Sequence, residues 1–162
     1  MSHDDQATQH SSLRTITVCV DDVGLNARVN EAALTLVHQG RVHALSAMVG
    51  APMWGHAARY LRDLSPLHVD VGLHLDFIEC PLSRHVHQPL RELVGKAYLG
   101  RLHVAGLRQE IRNQLTAFED AMGRAPAYVD GHQHVHQLPQ VRDVLIEELS
   151  RRYQGQSIWL RA

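Results

Sequence analysis

The chain has 162 residues, of which 44% are hydrophobic, and this is enough apolar surface for one domain with a sizeable core. Lys and Arg number 16 against 17 Asp and Glu, and no basic run occurs, which excludes a nucleic-acid-binding or anionic-membrane-binding surface. No stretch approaches the ~20 apolar residues of a membrane span, and the polar N-terminus lacks the apolar core of a signal peptide. The two cysteines form no CxxC pair, so the sequence favours a cytoplasmic protein.

The first predicted elements follow residues 1–14, a polar tail that we expect to be disordered. Residues 15–20 are a β-branched run that predicts a strand. Asn26 is a typical N-cap for a helix over residues 27–38, and Gly40 is suited to end that helix. The chain therefore opens with a strand followed by a helix.

Strands and helices continue to alternate beyond this point. The hydrophobic pattern predicts, in order, strand 42–49, helix 54–64, strand 68–77, helix 105–122, strand 127–130, helix 139–152 opened by Pro139, and strand 157–160. Residues 78–101 interrupt the alternation with several Pro and Gly residues. This segment is predicted to be a long irregular loop of the kind that binds ligands.

The alternation predicts parallel, right-handed βαβ units and hence an α/β fold. About five strands make an incomplete (β/α) barrel-like parallel sheet, because a closed barrel usually needs ~250 residues. An open sheet and a chain without its C-terminal part are both compatible with this pattern, and we expect the second. Apolar strand edges exposed by such a sheet would favour a homo-oligomer.

Polar clusters follow three of the predicted strands. The acidic pair Asp21–Asp22 closes the first strand, His74 lies near the end of the third, and residues 130–136 (Asp-Gly-His-Gln-His-Val-His) follow the fourth. Because the carboxyl ends of parallel strands share one rim, these segments should converge there. They could then offer one carboxylate and two imidazoles to a divalent metal, and the second acid could take a proton from water.

The histidine-rich segment has the strongest pattern of the three. Asp130, His132, His134 and His136 alternate along the chain, so an extended backbone would place all four on one face. Each cluster also has a structural interpretation. The acid pair fits a turn or helix cap, His74 fits a buried strand position, and the last segment fits a loop without function. The expected convergence of all three favours hydrolysis by metal-activated water.

Four short segments occur in a specific combination: residues 20–26 (Val-Asp-Asp-Val-Gly-Leu-Asn), 49–53 (Val-Gly-Ala-Pro-Met), 71–75 (Val-Gly-Leu-His-Leu) and 129–136, with Leu138-Pro139 after the last. This combination resembles the YdjC-like (ChbG-type) carbohydrate deacetylase family, over residues 15–162. The resemblance implies one domain that corresponds to the N-terminal portion of the family, with a barrel-like fold. It also implies a divalent metal and removal of acetyl groups from N-acetylated sugars such as chitooligosaccharides.

The resemblance also implies roles for individual residues. Three of them match the metal ligands of the family: Asp22, His74 and His132. Asp21 matches the proposed general base. His134 and His136 match further histidines of the motif, and either could donate a proton to the departing amine; of the two we take His134 as the donor. The implied cofactor is one divalent ion, zinc or magnesium, and the implied partner is an acetylated oligosaccharide.

The chain departs from the family pattern in three places. Val20 and Val23 replace Ala and Phe around the acid pair, and Gly131 replaces Ser. The later His-Pro-Gly-type segment of the family, a source of the leaving-group acid, is absent from the chain. Two other functions stay open: a truncated, non-catalytic relative that binds metal or sugar, and another metal-dependent barrel hydrolase that acts on phosphoesters or cyclic amides.

Overall fold

The computed structural model describes residues 16–64 and 69–161, so the tail expected at residues 1–14 lies outside the described residues. The elements in chain order are β1 (Cys19–Val23), α1 (Ala27–His38), β2 (Ala44–Ala47), α2 (Trp54–Arg62), β3 (Asp70–Leu75), α3 (Leu90–Tyr98), α4 (Val104–Met122), β4 (Tyr128–Gly131), a 3₁₀ helix (His132–Gln137), α5 (Val141–Arg152) and β5 (Trp159–Leu160). None of the helices in the two described ranges combines the length and the apolar character needed to cross a membrane.

The five strands form one parallel sheet in the order β1-β2-β3-β4-β5, so every strand pairs with its neighbours in sequence. β1 and β5 are the two edges, and the sheet is not closed. This sequential order is that of a (β/α) barrel, whereas a doubly wound sheet reverses its strand order at a switch point. The prediction of an α/β fold with an incomplete, barrel-like parallel sheet is confirmed.

The sheet has one apolar face and one polar face, because alternate residues of a strand point to opposite sides. The apolar face packs against the helices in a single core, and it carries Leu45, Val71, Leu73 and Val129. The helices contribute to the same core Leu61, Ile111, Phe118 and Leu145. The opposite face carries Ser46, Gly72, His74, Tyr128 and Asp130. The polar side chains of β2, β3 and β4 named here therefore lie on the face opposite the helices.

Tyr128 fits on the polar face because Gly72 on the neighbouring strand has no side chain. A Cβ at Gly72 would lie 2.6 Å from the Tyr128 ring. The same ring stacks on Trp159 of β5, with the ring centroids 4.3 Å apart. Burial raises the pKa of Tyr128, so its hydroxyl stays protonated and bonds to Ser46 at 2.8 Å. The polar face is thus packed rather than open.

The beginning of α1 agrees with the sequence. The Asn26 side chain accepts a hydrogen bond from the backbone N–H of Val29 at 3.0 Å, which confirms the predicted N-cap of the helix Ala27–His38. The C-cap is Gln39, and Gly40 follows it with φ = +63°. Glycine adopts this left-handed conformation without steric cost, so Gly40 stops the helix as predicted.

Several predicted boundaries are wrong by two residues or more, among them those of the first strand and of the last helix. The first strand was expected over residues 15–20, but it spans Cys19–Val23 and includes the acid pair, because Val23 still pairs with Ala47 of β2 beyond these two residues. The last helix begins at Val141 and not at Pro139. Gln140 has φ = +65° and ψ = −43°, which is outside the right-handed helical region and separates the proline from the helix.

The predicted irregular loop over residues 78–101 is also wrong, because it contains the helix Leu90–Tyr98. Leu93 and Ala97 are the buried residues of this helix and lie four positions apart, on one side. Pro89 sits just before the helix with φ = −58°, a favourable position for proline at a helix start. The prolines of the segment and Gly100 therefore flank this helix, and Gly95 lies within it, although these residues were expected to prevent a helix.

Candidate active site

The acid pair lies in a β-bulge at the end of β1. Three steps along β1 face only two steps along β2, as two residue pairs show: Val20 with Leu45 and Val23 with Ala47. Asp22 has φ = +61°, in the left-handed region that non-glycine residues seldom adopt. A regular strand would point Asp21 and Asp22 to opposite faces. The bulge instead lets both carboxylates reach side chains at the rim of the polar face.

Asp22, His74 and His132 converge at this rim. Oδ1 of Asp22 lies 3.3 Å from Nε2 of His74 and 2.9 Å from Nδ1 of His132. One ligand atom from each residue lies within 4.8 Å of the others. Both histidines are buried, whereas the Asp22 side chain is 34% exposed, so the cluster opens to solvent beside Asp22. The structure brings together the three residues for which the sequence predicts metal binding.

The donor set of this cluster fits a divalent cation. Within residues 16–64 and 69–161, the ion-pair partners of Asp22 are two imidazoles, and no Lys or Arg pairs with it. A carboxylate oxygen and an unprotonated imidazole nitrogen are both hydrogen-bond acceptors, so their close approach is favourable only with a proton or a cation between them. One carboxylate and two imidazoles also leave coordination positions for water and substrate.

A second carboxylate cluster lies next to the first and is built differently. Arg161, just after β5, bonds Asp21 through both guanidinium nitrogens at 2.6 and 2.7 Å. The same guanidinium lies 3.2 Å from Oδ2 of Asp130. One arginine therefore contacts two carboxylates, and its guanidinium occupies the space between them that a metal ion would need.

Arg161 also determines the basicity of Asp21. Partial burial disfavours the charged form of Asp21, but the hydrogen bonds and the positive charge of Arg161 outweigh it and hold the pKa of Asp21 below its ordinary value. The Asp21 carboxylate consequently stays ionised at neutral pH. It is ready to accept a hydrogen bond, and it is a weaker base than a free carboxylate.

Asp130 connects the two clusters. It is 1% exposed and faces His74 across the β3–β4 pair, where its Oδ1 lies 2.6 Å from Nδ1 of His74. Its Oδ2 accepts a hydrogen bond from Ser46 Oγ at 2.7 Å. The sequence analysis grouped Asp130 with the histidines that follow it. The structure places its contacts with His74 of β3, Ser46 of β2 and the arginine after β5.

Glu79, in the segment after β3, contacts the cluster of Asp22, His74 and His132 from outside. Oε2 of Glu79 lies 3.3 Å from Nε2 of His132. A cavity of about 550 Å³ adjoins this contact and is lined by Ile78, Glu79, Leu90, His132 and Gln133. The cluster therefore has a concave approach with both polar and apolar walls.

Two buried carboxylates hold the segment that carries Glu79. Asp76 accepts hydrogen bonds from the backbone N–H groups of Ile78 and Glu79. Glu110 of α4, which is fully buried, accepts them from Leu82 and Ser83 at 2.7 and 3.0 Å. Because these hydrogen bonds fix the backbone at both ends of the segment, Glu79 has a defined position in the wall of the cavity.

Gly50 makes room for this wall. A Cβ at Gly50 would lie 1.8 Å from the carbonyl oxygen of Cys80, so any other residue there would displace the segment. The conformation of the segment after β3 thus depends on Gly50, in the loop after β2.

The segment after β4 does not have the extended conformation expected from its alternation. Residues 132–137 form a 3₁₀ helix in which Gln133 and His134 have positive φ. His134 is exposed, and its ring centroid lies 6.4 Å from that of the buried His136. The structure therefore does not bring His134 to the cluster, and its role as proton donor stays a prediction.

His136 has a structural partner at the end of the sheet. Its Nε2–H donates a hydrogen bond to the backbone carbonyl of Arg161 at 2.8 Å, and burial holds the pKa of His136 below its ordinary value. A Cβ at position 131 would lie 2.9 Å from Nδ1 of His136. Gly131 therefore leaves space for a neutral imidazole that holds the backbone of Arg161.

Arg161, Glu79 and the contacts of Asp130 were missed by the sequence analysis. Arg161 directly follows a predicted strand, so the rule that located Asp22, His74 and His132 at the strand ends would also have located it. Glu79 carries no comparable signal, because its position depends on how Asp76 and Glu110 hold the backbone around it.

Comparison with known proteins identifies relatives over most of the chain. A carbohydrate deacetylase of Danio rerio is 31% identical over 151 residues, covering 83% of this chain and 46% of the relative. A chitooligosaccharide deacetylase of Salmonella schwarzengrund is 30% identical over 145 residues, covering 86% of this chain and 57% of the relative. The chain thus spans about half the length of the curated relatives it matches.

A solved structure has the same fold. It is a protein of Enterococcus faecalis, provisionally described as a cellobiose-phosphate cleavage protein, with a TM-score of 0.67 and 21% identity, over 90% of this chain and 57% of that one. The family model described as YdjC-like protein matches residues 15–162. Because this match covers nearly the whole sequence, the chain belongs to the YdjC-like protein family.

Proposed function

We propose that the chain carries the metal site of a carbohydrate deacetylase that removes acetyl groups from N-acetylated, chitooligosaccharide-type sugars. The observation that carries the proposal is the convergence of Asp22, His74 and His132 at the carboxyl rim of the sheet, with no arginine or lysine paired to Asp22 within the described residues. Relatives named carbohydrate deacetylase and chitooligosaccharide deacetylase support the choice of substrate.

In this proposal Asp22, His74 and His132 hold one divalent ion. Two nitrogen ligands favour zinc, whereas the carboxylate also suits magnesium. When bound, such an ion supplies Lewis acidity, which makes hydroxide available from water at neutral pH and polarises an amide carbonyl. The ion itself needs no further protein ligand, because catalytic sites keep positions open for water and substrate.

Asp21 is the proposed proton acceptor. Arg161 donates one hydrogen bond to each carboxylate oxygen, and the Cys19 thiol also donates to Oδ1 at 3.5 Å, so Oδ2 is the oxygen that keeps a lone pair for a proton from water. Arg161 also fixes the orientation of this carboxylate, so the base is held in place beside the cluster. His134 is the proposed donor to the departing amine, from the same 3₁₀ turn that carries His132.

The cavity beside His132 is the proposed entrance for the sugar. Its volume of about 550 Å³ is in the range of small-molecule sites. Leu90 and Ile78 offer apolar surface to the face of a sugar ring, and Glu79 offers a carboxylate to its hydroxyl groups. An acetamide on a ring in this cavity could reach the candidate metal centre on the side of His132.

The test is acetate release from chitobiose and longer chitooligosaccharides, with the chain supplied with Zn²⁺ or Mg²⁺. We expect release that needs the metal and is lost in His132→Ala. His56→Ala is the matched control, because His56 is an exposed histidine on α2. Release that is unaffected by chelation, or equally fast in His132→Ala, contradicts the proposal.

A second candidate function is metal binding without turnover. It is favoured by the double hydrogen bond between Arg161 and Asp21, which lowers the basicity of the proposed base, and by the exposure of His134. The same assay separates the two candidates. Tight Zn²⁺ binding that is lost in His132→Ala, together with no acetate release from any substrate, would favour the non-catalytic function.

A further inference from the structure

We propose that Asp130 is a positioning residue: it fixes the proton of His74 on Nδ1 and so directs the Nε2 lone pair towards Asp22 as a metal ligand. The inference rests on the proposed metal site and adds to it a group that determines how one ligand is oriented. Its basis is the set of contacts that Asp130 makes on the polar face of the sheet.

The position of Asp130 is determined by the fold. It pairs with His74 in the β3–β4 register, so the two side chains leave neighbouring strands on the same side. Oδ1 of Asp130 lies 2.6 Å from Nδ1 of His74, and both side chains are at least 96% buried. Water is therefore excluded from this contact, and the two groups must satisfy each other.

The other carboxylate oxygen is already in use. Oδ2 of Asp130 accepts the Ser46 hydroxyl at 2.7 Å and lies 3.2 Å from the Arg161 guanidinium. These contacts prevent rotation of the carboxylate about its axis, because rotation would bring Oδ1 away from His74 and leave Ser46 without its acceptor. Oδ1 is consequently held as a fixed acceptor in front of the imidazole.

A fixed acceptor at Nδ1 determines the tautomer of His74. A neutral imidazole has one N–H and one lone pair, and the carboxylate requires the N–H on Nδ1. The lone pair is then on Nε2, which faces Oδ1 of Asp22 at 3.3 Å. Carboxylate–histidine pairs of this kind orient metal ligands and increase their basicity.

His132 provides an internal comparison. Its Nδ1 faces Asp22 at 2.9 Å, and its Nε2 faces Glu79 at 3.3 Å, whose side chain is 54% exposed. It has no buried carboxylate that determines its tautomer among the contacts of the described chain. His74 is thus the preset ligand of the pair, and His132 can change its tautomer when a cation binds.

The first experiment measures the tautomers directly, by ¹⁵N NMR of the imidazole nitrogens in the metal-free chain in alkaline buffer. We expect His74 to carry its proton on Nδ1 in the parent chain and to lose this uniform state in Asp130→Ala. A proton on Nε2 of His74 in the parent chain overturns the proposal. Neither metal nor substrate is present, so the result does not depend on the proposed function.

The second experiment measures Zn²⁺ affinity by calorimetry for Asp130→Asn, with Glu148→Gln as the control. Both variants replace a buried carboxylate by its amide, and Glu148 lies at the α4–α5 contact, where it pairs with Arg108, Arg112 and Arg151. We expect Asp130→Asn to bind Zn²⁺ about 10- to 100-fold more weakly than the parent, as is typical when the partner of a ligating histidine is lost. Glu148→Gln should bind within about twofold of the parent.

A folded Asp130→Asn chain that binds Zn²⁺ as tightly as Glu148→Gln overturns the proposal, and circular dichroism establishes that both variants are folded. If the parent chain binds neither Zn²⁺ nor Mg²⁺, the proposed metal site fails. The tautomer of His74 then decides by itself whether Asp130 orients this imidazole, so failure of the function and failure of the inference are distinguishable.

Discussion

Two neighbouring carboxylates at the end of β1 have opposite electrostatic environments. Asp21 is neutralised within the protein, since Arg161 bonds both of its oxygens. Asp22 has two imidazoles as its ion-pair partners in the described part of the chain, and its side chain is one-third exposed. Although the two acids are consecutive in sequence, the bulge gives them different partners. Asp21 is compensated by an arginine of the chain, and Asp22 is free to bind a cation from solution.

Asp21 and Asp22 show how a metal site can be distinguished from a cluster of potential ligands that is occupied by an internal cation. Asp21, Asp130 and Cys19 come as close together as the residues of the other cluster. Proximity alone would therefore predict two metal sites. The difference is the guanidinium between Asp21 and Asp130, which excludes a second cation there by charge and by volume. Charge compensation, rather than distance, identifies Asp22, His74 and His132 as the candidate metal centre.

The largest effect is expected from Asp22→Asn. The substitution removes the only carboxylate of the candidate centre, so Zn²⁺ affinity should fall at least about 100-fold in a calorimetric titration. Asparagine tolerates the positive φ of this position, so the fold should be kept. Asp143→Asn is the control, because Asp143 is an exposed carboxylate on α5. Equal Zn²⁺ affinity in both variants would show that the metal binds elsewhere.

A smaller effect is expected from Arg161→Met, which removes the internal cation. Asp21 and Asp130 then repel each other without compensation, and the free energy of unfolding should fall by about 2 kcal/mol at neutral pH, less than for a fully buried pair because Arg161 and Asp21 are partly exposed. Arg142→Met, whose partner Asp143 is exposed, should cost less than about 0.5 kcal/mol.

The pH dependence of the stability lost in Arg161→Met tests whether the charge of Arg161 is the cause of the loss. The pKa of Asp21 is lowered in the folded parent chain, so its ion pair contributes stability above the ordinary value of 3.8, and this stability is lost as the pH falls through the lowered pKa. Urea unfolding of parent and Arg161→Met should therefore converge below pH 3.8. A difference that is constant with pH would mean that packing of Arg161, and not its charge, accounts for the lost stability.

The sequence was sufficient to locate the candidate metal centre because its three residues depend on the strand ends. Asp22, His74 and His132 each lie at or next to the carboxyl end of a strand, and the parallel order brings such ends together. The same rule would have found Arg161. What the sequence alone could not determine is which of two adjacent acids the arginine would bind, because the bulge at Asp22 arises from pairing with another strand.

The errors of the sequence analysis have a common physical origin. The alternation of Asp130, His132, His134 and His136 predicts one face only if the chain stays extended, but β4 ends at Gly131 and the backbone turns. Periodicity describes residues within an element and cannot determine where the element stops. The end of β4 depends on its pairing with β3 and β5, which is a property of the folded sheet.

A still smaller effect is expected at a carboxylate far from the rim. Glu148 is buried at the α4–α5 contact, where hydrogen bonds from Arg112 and Arg108 lower its pKa to about 2 from 4.5. Its ion pairs stabilise the fold above pH 4.5, and this stability is lost as the pH falls to about 2. Glu148→Gln should lose about 1–2 kcal/mol at neutral pH, because its arginine partners are partly exposed, and should flatten the acid limb. Acid titrations followed by circular dichroism measure this limb.

The same acid titration in the presence of Zn²⁺ tests whether Glu148 binds a metal ion. Glu148 is compensated by arginines, as Asp21 is, so added Zn²⁺ should leave the acid limb of Glu148 unchanged while it stabilises the chain as a whole. A Zn²⁺-dependent shift that disappears in Glu148→Gln would indicate a cation site at the helices, and it would contradict the assignment of sites by charge compensation.

The smallest effect is expected from His134→Asn, which distinguishes two histidines that are only two residues apart. His134 is exposed on the 3₁₀ turn and has φ = +58°, a conformation that asparagine also accepts, so neither metal binding nor stability should change. Zn²⁺ affinity should stay within about twofold of the parent, whereas His132→Asn, which removes a buried imidazole from the cluster, should weaken it about 100-fold. Equal weakening in both variants would mean that the turn rearranges around the cation and brings His134 inward. The alternating sequence pattern predicts that His132 and His134 lie on the same face, whereas the 3₁₀ helix buries His132 and exposes His134. The two substitutions therefore measure whether the folded backbone or the sequence pattern determines which histidine binds the metal.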